Sequence, residues 1–199
     1  MSDAARIDCL ALAAEAWANG SGATRTLGRC NDEDGETAWR VSIATLNGPS
    51  RFSQFPGVDR TFILIDQESV ELQLQHGSLH ARLGQPVHFS GDLHVWIDMP
   101  AGEAHALNVM TRRGRCRARV EVMSHDAIRE PAQTHFLVSL GGAWLVRGAQ
   151  PGDGGITLAP LHALRLDGHA GRLELSPADA GSNTLLASIA IETAETASA

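Results

Sequence analysis

Residues 39–65 narrow the choice of fold more than any other stretch of the chain. From Trp39 to Leu46 one parity reads Trp39, Val41, Ile43, Thr45 and the other Arg40, Ser42, Ala44, Leu46. Side chains on a strand point alternately to opposite faces, so the segment builds one greasy face and one that opens with Arg and Ser. Asn47-Gly48 then gives a tight-turn signal, because both residues tolerate positive φ. Thr61 to Ile65 is almost wholly apolar, as a strand covered on both faces is. The connection between them is Phe52-Ser-Gln-Phe-Pro-Gly-Val-Asp-Arg60. Two phenyl rings, a Pro-Gly bend, a hydroxyl, a carboxylate and a guanidinium in so short a connection mark a candidate site.

The same two-residue period continues along the chain. Val70, Leu72 and Leu74 alternate with Glu71, Gln73 and Gln75, and Leu79, Ala81 and Leu83 with His80 and Arg82. Leu93 to Met99 alternates before Pro100-Ala-Gly102, and Cys116, Ala118, Val120 and Val122 alternate with Arg115, Arg117, Arg119 and Glu121. Short strands at regular spacing with turn residues between them predict a sandwich or barrel. In the second half, His135 to Leu140 and Ala143 to Arg147 flank Gly141-Gly142 and read as a hairpin. Leu161-His-Ala-Leu-Arg-Leu166 echoes Leu79-His-Ala-Arg-Leu83, and Leu175-Ser-Pro-Ala-Asp179 echoes Phe89-Ser-Gly-Asp92. Echoes that keep their order suggest an internal duplication. Only residues 2–17 carry a helical spacing, with Ile7, Leu10, Ala14 and Trp17 on one side and Ser2 or Asp3 as cap. The tail from Glu192 is expected to fray.

Composition excludes several classes. Hydrophobic content of 43% with 20% charged residues fits a folded globular chain. No apolar run approaches the length that spans a bilayer, and the start lacks the basic and greasy regions of a signal peptide. No membrane partner and a cytoplasmic address are the expectations. A formal net charge of −7 argues against nucleic acid as a partner. All 16 basic residues are Arg, so any bound anion meets planar guanidinium forks. Cys9, Cys30 and Cys116 are odd in number and widely spaced, which suits neither a disulfide framework nor a zinc site. Asn31-Asp-Glu-Asp-Gly-Glu36 reads as a solvated acidic turn without the ligand spacing of a calcium loop.

Catalytic signatures are sparse. Ser42, Ser53 and Ser90 lack a nucleophile elbow, and no Cys has a recognisable His partner. No catalytic residue, cofactor or metal is therefore assigned. A binding pocket fits better. Arg60 follows the two-Phe loop, Arg40 shares a strand face with Ser42, and Asn108 sits beside Met110. Arg60 has two readings: an internal clasp to Asp59, or a clamp on a ligand carboxylate.

Several ordered segments carry a resemblance: Trp17-Ala-Asn19-Gly20-Ser-Gly22-Ala-Thr24, Arg40-Val-Ser42-Ile-Ala44, Phe52-Ser53-Gln-Phe55-Pro56-Gly57-Val-Asp59-Arg60, Phe89-Ser-Gly91-Asp92 and Asn108-Val-Met110-Thr-Arg112. Together they resemble the HutD/Ves family of bacteria. Ser21 stands where the family has Gly, and Ala106 where it has Asp.

The resemblance implies an all-β bicupin, two fused cupin-type jelly-roll barrels, with residues 1–122 as the first and 123–199 as the second, and an irregular or extended lead-in in place of a helix over residues 2–17. A metal-binding cupin needs a His-x-His pair, which is absent here, although Pro100-Ala-Gly102-Glu-Ala-His105 resembles the later part of such a site. The resemblance further implies an accessory or regulatory protein of histidine utilisation, monomer or homodimer, that binds a small anionic metabolite such as N-formylglutamate. An enzyme acting on a formylated or formiminated amino acid is the runner-up. The expected ligand-binding residues are Arg60, Arg40, Ser42, Ser53, Phe55, Thr24, Asn108 and Met110.

Overall fold

The computed structural model of the chain describes residues 3–17, 20–99, 102–149, 154–178 and 184–194, and every regular element among them is a β-strand. The protein is all-β. It forms two compact units, Leu12–Arg117 with Ala194–Ala199, and Met1–Ala11 with Ala118–Thr193. The division falls inside the Cys116–Met123 strand, and the first strand of the chain belongs with the later unit.

The unit Leu12–Arg117 holds two antiparallel sheets. The larger is six-stranded, in the order Glu15–Ala16, Gly22–Asn31, Thr37–Leu46, Ala104–Arg112, Val58–Leu64, Val87–Ser90. The smaller runs Ser50–Arg51, Val95–Asp98, Ser69–Leu74, Gly77–Arg82. The 39–65 segment thus leaves the larger sheet after Leu46, touches the smaller one at Ser50–Arg51, and returns at Val58. It returns one place over, because Ala104–Arg112 inserts between and pairs with both neighbours. Leu46, Leu64, Ala104 and Ala106 from one sheet pack with Val70, Leu72, Val95 and Ile97 from the other. Those eight residues are the alternating apolar positions of their strands.

Register sets a gradient along the inner face of the larger sheet. Ala44, Ala106 and Leu64 stand side by side, then Ser42, Asn108 and Phe62, then Arg40, Met110, Arg60 and Phe89. Paired residues share a face, so the face passes from aliphatic core to hydroxyl and amide, and then to guanidinium. The opposite face is not a solvated one. Val41, Ile43, Ile63, Leu107 and Val109 are all buried. Both parities of Thr37–Leu46 are therefore covered, which explains why neither carries an exposed charge.

The other unit repeats the plan with a five-stranded sheet, Asp3–Asp8, His162–Asp167, Thr134–Gly141, Leu185–Thr193, Cys116–Met123, and a four-stranded one, Ala127–Arg129, Leu173–Pro177, Trp144–Arg147, Ile156–Leu158. Trp144, Leu137, Leu164, Leu173 and Leu186 lie in its core.

Two expectations from local spacing fail here, the first in favour of the extended lead-in that the family resemblance implies. Residues 2–17 form no helix over their described part. Asp3–Asp8 pairs antiparallel with His162–Asp167, and Glu15–Ala16 pairs with Thr24 and Ala23. Short isolated helices are marginal, and the available sheet edges win. The expected cap Ser2 lies outside the described residues. The second failure is the hairpin around Gly141-Gly142, whose arms join different sheets. Gly142 takes φ 68, and the chain there passes from one sheet to the other instead of folding back on its own ladder. The echo at Asp179 and the turn residues Pro100 and Ala101 also lie outside the described residues.

Candidate functional site

The polar end of the inner face opens into a cavity of about 310 Å³. All eight residues expected to bind ligand, Thr24, Arg40, Ser42, Ser53, Phe55, Arg60, Asn108 and Met110, line it. The sheet supplies Thr24, Arg40, Ser42, Arg60, Asn108 and Met110 from four adjacent strands. Ser53 and Phe55 come from the loop that crosses in front.

Arg60 is the centre of the site. Its residue is only 7% exposed. One Nη donates to the Ser53 carbonyl at 3.3 Å and the other to Asn108 Oδ1 at 3.4 Å, while Nε is buried without an acceptor among the described residues. The guanidinium carbon lies 5.1 Å from the centroids of Phe52 and Phe89 and 5.6 Å from that of Phe55. Ring faces attract a cation weakly, but they do not replace water. Burial pulls the Arg60 pKa down to about 10, and Arg40 lowers it further in the same direction. At neutral pH the group is still a cation. No carboxylate among the described residues lies within 4.0 Å of it.

Arg40 is the second cation. Its guanidinium stacks 5.6 Å from the Phe55 centroid and one Nη approaches Met110 Sδ at 3.5 Å. Burial lowers its pKa, Glu15 raises it and Arg29 lowers it. Glu15 is the carboxylate that sequence reasoning missed. It lies on the short strand Glu15–Ala16 and lines the cavity, as do Trp17, Phe52 and Arg51. Trp17 Nε1 donates to Thr24 Oγ1 at 2.8 Å, which holds the indole against the wall. Reading residues 2–17 as a helix hid this side of the site. The Trp17-to-Thr24 motif was the signal that could have disclosed it.

The clasp between Asp59 and Arg60 does not form. Successive strand residues face opposite ways, and Asp59 is exposed while Arg60 is buried. Asp59 instead accepts from Arg113 Nη1 at 2.8 Å. The same guanidinium bonds Asp92 Oδ2 and, at 3.1 Å, Ser90 Oγ. Asp92 Oδ1 accepts from Gly57 N–H at 3.0 Å. Hydrogen bonds from Ser90 and Arg113 hold the Asp92 pKa well below the usual carboxylate range. These exposed polar groups tie the aromatic loop to the strand end that carries Phe89.

Gly91 completes the tie. Phe55 N–H donates to its carbonyl at 2.8 Å and its own N–H donates to the Val58 carbonyl at 2.7 Å. A Cβ at Gly91 would sit 2.6 Å from the Phe55 oxygen and 2.9 Å from that of Val58. Gly91→Ala is therefore expected to destabilise by about 1–3 kcal/mol through forced displacement of the loop. Denaturant unfolding measures this, and a variant as stable as the parent would show that the loop is loosely held.

His105, the residue that resembles the last part of a cupin metal site, is engaged elsewhere. Its Nδ1 lies 2.6 Å from Asp66 Oδ2 and its Nε2 3.6 Å from Glu103 Oε1. Among the described residues, no three His, Cys, Asp or Glu side chains converge as a ligand set. Ala106, in place of the family Asp, is fully buried beside Ala44 and Leu64 and belongs to the apolar core below the cavity lining.

Comparisons with known proteins bear on the family and the fold. The chain is 34% identical over 155 residues to Protein Ves of Cronobacter sakazakii, covering 75% of this chain and 84% of that protein. It is 34% identical over 130 residues to Protein Ves of Citrobacter koseri, covering 64% and 68%. Among solved structures it shares the fold of HutD from Pseudomonas fluorescens SBW25 in its formate condition, with a TM-score of 0.82, 22% identity and coverage of 96% and 100%. A conserved protein of unknown function from Pseudomonas aeruginosa PAO1 gives a TM-score of 0.81 at 21% identity, with coverage of 96% and 100%. The HutD family model matches residues 10–185, and with that span and the two Ves relatives the chain belongs to the HutD/Ves family.

Proposed function

We propose that the protein binds a small carboxylate in the Arg60 cavity and serves as a non-catalytic accessory factor in histidine utilisation, with N-formylglutamate as the ligand. The observation that carries this reading is the Arg60 guanidinium, buried among three phenyl rings with no carboxylate partner among the described residues. A buried cation is costly unless paired, and a ligand carboxylate would complete it by two parallel hydrogen bonds. Ser42, Thr24 and Asn108 supply neutral hydrogen-bonding groups, and the Phe side chains supply walls. Small-ligand sites have this make-up, mostly apolar with a few placed polar groups. In the same reading the two units are the barrels of a bicupin and the protein works in the cytoplasm. Among the described residues, no helix is long and apolar enough to cross a membrane.

Calorimetric titration with N-formylglutamate tests the ligand. Saturable one-to-one binding is expected, and absence of heat across a millimolar range would remove N-formylglutamate. The enzyme reading would have to use Glu15 as its base, the carboxylate among the described wall residues. Following N-formylglutamate by proton NMR with the protein present separates the two: an unchanged ligand is expected, and conversion that stops in Glu15→Gln would make the protein an enzyme.

A further inference from the structure

A second cavity, of about 350 Å³, adjoins the first and shares Arg40, Phe55 and Met110 with it. It continues the same sheet face by one step. Val58 and Arg112 pair across the ladder, two residues beyond Arg60 and Met110, and Ala38 precedes Arg40 by two on the same strand. Strand alternation puts all three on the inner face.

The chemistry changes at that step. Ala38 and Val58 are buried and apolar, as is Met110, and the Phe55 ring forms the shared wall. Apart from Arg40, the charged members of this cavity, Arg112 and Glu36, are already engaged. Arg112 Nη2 pairs with Glu36 Oε2 at 2.7 Å, and its Nε donates to the Thr37 carbonyl at 3.3 Å. Beyond Arg40 at the junction, a charged group entering here would meet a neutralised ion pair and hydrocarbon, whereas an uncharged group would bury apolar surface on Ala38, Val58 and Met110. Arg40 stands at the junction and lines both cavities, with its guanidinium carbon 5.6 Å from the Phe55 centroid.

We infer that the second cavity receives the uncharged acyl arm of the ligand whose carboxylate Arg60 holds, so that the ligand class is N-acyl amino acids and acyl groups longer than formyl bind more tightly than N-formylglutamate. The inference rests on the carboxylate reading of the Arg60 site and adds a length preference that the reading lacks. Each buried methylene strengthens binding roughly threefold to fourfold.

The experiment is a titration series with N-formyl-, N-butyryl- and N-hexanoylglutamate on wild type, Ala38→Leu and Val58→Ala, with unfolding midpoints followed in parallel. Affinity is expected to climb along the series in wild type. In Ala38→Leu, which fills the cavity, the climb should vanish while N-formylglutamate binds as before. Val58→Ala, which enlarges it, should keep the climb and covers the case where Ala38→Leu does not fold. A flat series in wild type, with N-formylglutamate bound and lost in Arg60→Lys, would overturn the subsite and leave the carboxylate reading intact. A climb that survives filling by Ala38→Leu would also overturn it. Failure of every acid to bind wild type would sink the carboxylate reading and the inference with it.

Discussion

Replacing Arg60 with methionine is expected to lower affinity for a carboxylate by roughly thirtyfold or more, a loss of ~2–5 kcal/mol, while leaving the protein at least as stable as the parent. The two effects diverge because Arg60 is a buried cation with no carboxylate partner among the described residues. Its hydrogen bonds to Ser53 and Asn108 are long, at 3.3 and 3.4 Å, so little is lost with them. A methionine side chain would fill the space between Phe52, Phe55 and Phe89 without the desolvation cost. Arg60→Lys keeps the charge and loses the fork, and it should weaken binding despite its conservatism. Titration and thermal unfolding read the two effects separately. A sharp fall in the unfolding midpoint of Arg60→Met, with unchanged binding in Arg60→Lys, would make Arg60 a structural residue and place the ligand elsewhere.

A second large effect is expected in the other unit, between pH 6.5 and about 4. His135 is 2% exposed, with Nε2 at 2.8 Å from Ser188 Oγ and Nδ1 without a partner among the described residues. Burial lowers its pKa to about 4, and Arg129, Arg119 and His169 push the same way. Glu121 pairs with Arg129 at 2.9 Å and offsets part of that field. The native state therefore resists a proton that the unfolded chain takes up from about pH 6.5 downward. Stability is full above that pH and falls as the pH drops toward the folded pKa. The gap corresponds to a loss on the order of 3 kcal/mol. His135→Gln can still bond Ser188 but cannot titrate. Denaturant unfolding at pH 7 and pH 4.5 should show a smaller difference for His135→Gln than for wild type, and equal differences would locate the acid sensitivity in other groups.

The alternation from Trp39 to Val122 made the strands legible, and the Phe52-to-Arg60 loop made the site legible, because both signals are local. A period of two needs only neighbouring residues, and a loop dense in rings and charge stands out against plain connections. What the sequence hid depends on distant partners. Nothing near Asp3 reveals that its strand pairs with His162–Asp167, so helical spacing in Ile7, Leu10 and Ala14 was the available local clue, and it misled. The loss of Glu15 from the expected site followed from the same error. Asp59 stood next to Arg60 in sequence, yet pleating sends neighbours to opposite faces, and its partner Arg113 is adjacent only after Ala104–Arg112 pairs with Val58–Leu64. His135 carries no local signal at all, since a histidine on an alternating strand reads the same whether buried or exposed.

The pairing of Asp3–Asp8 with His162–Asp167 also fixes an order of events during synthesis. The chain leaves the ribosome from its N-terminus at ~5–20 residues per second, so the first strand waits on the order of ten seconds for its partner to be made. Residues 12–117, which carry both cavities, have by then emerged with nearly all of their own sheet partners. The Arg60 cavity can form while the two ends of the chain are still apart. Ligand present during translation would then act on a nascent chain, binding the earlier unit before the last edge of the later one is sealed. Extra sequence fused ahead of Asp3 would burden that final sealing step and leave the cavity untouched.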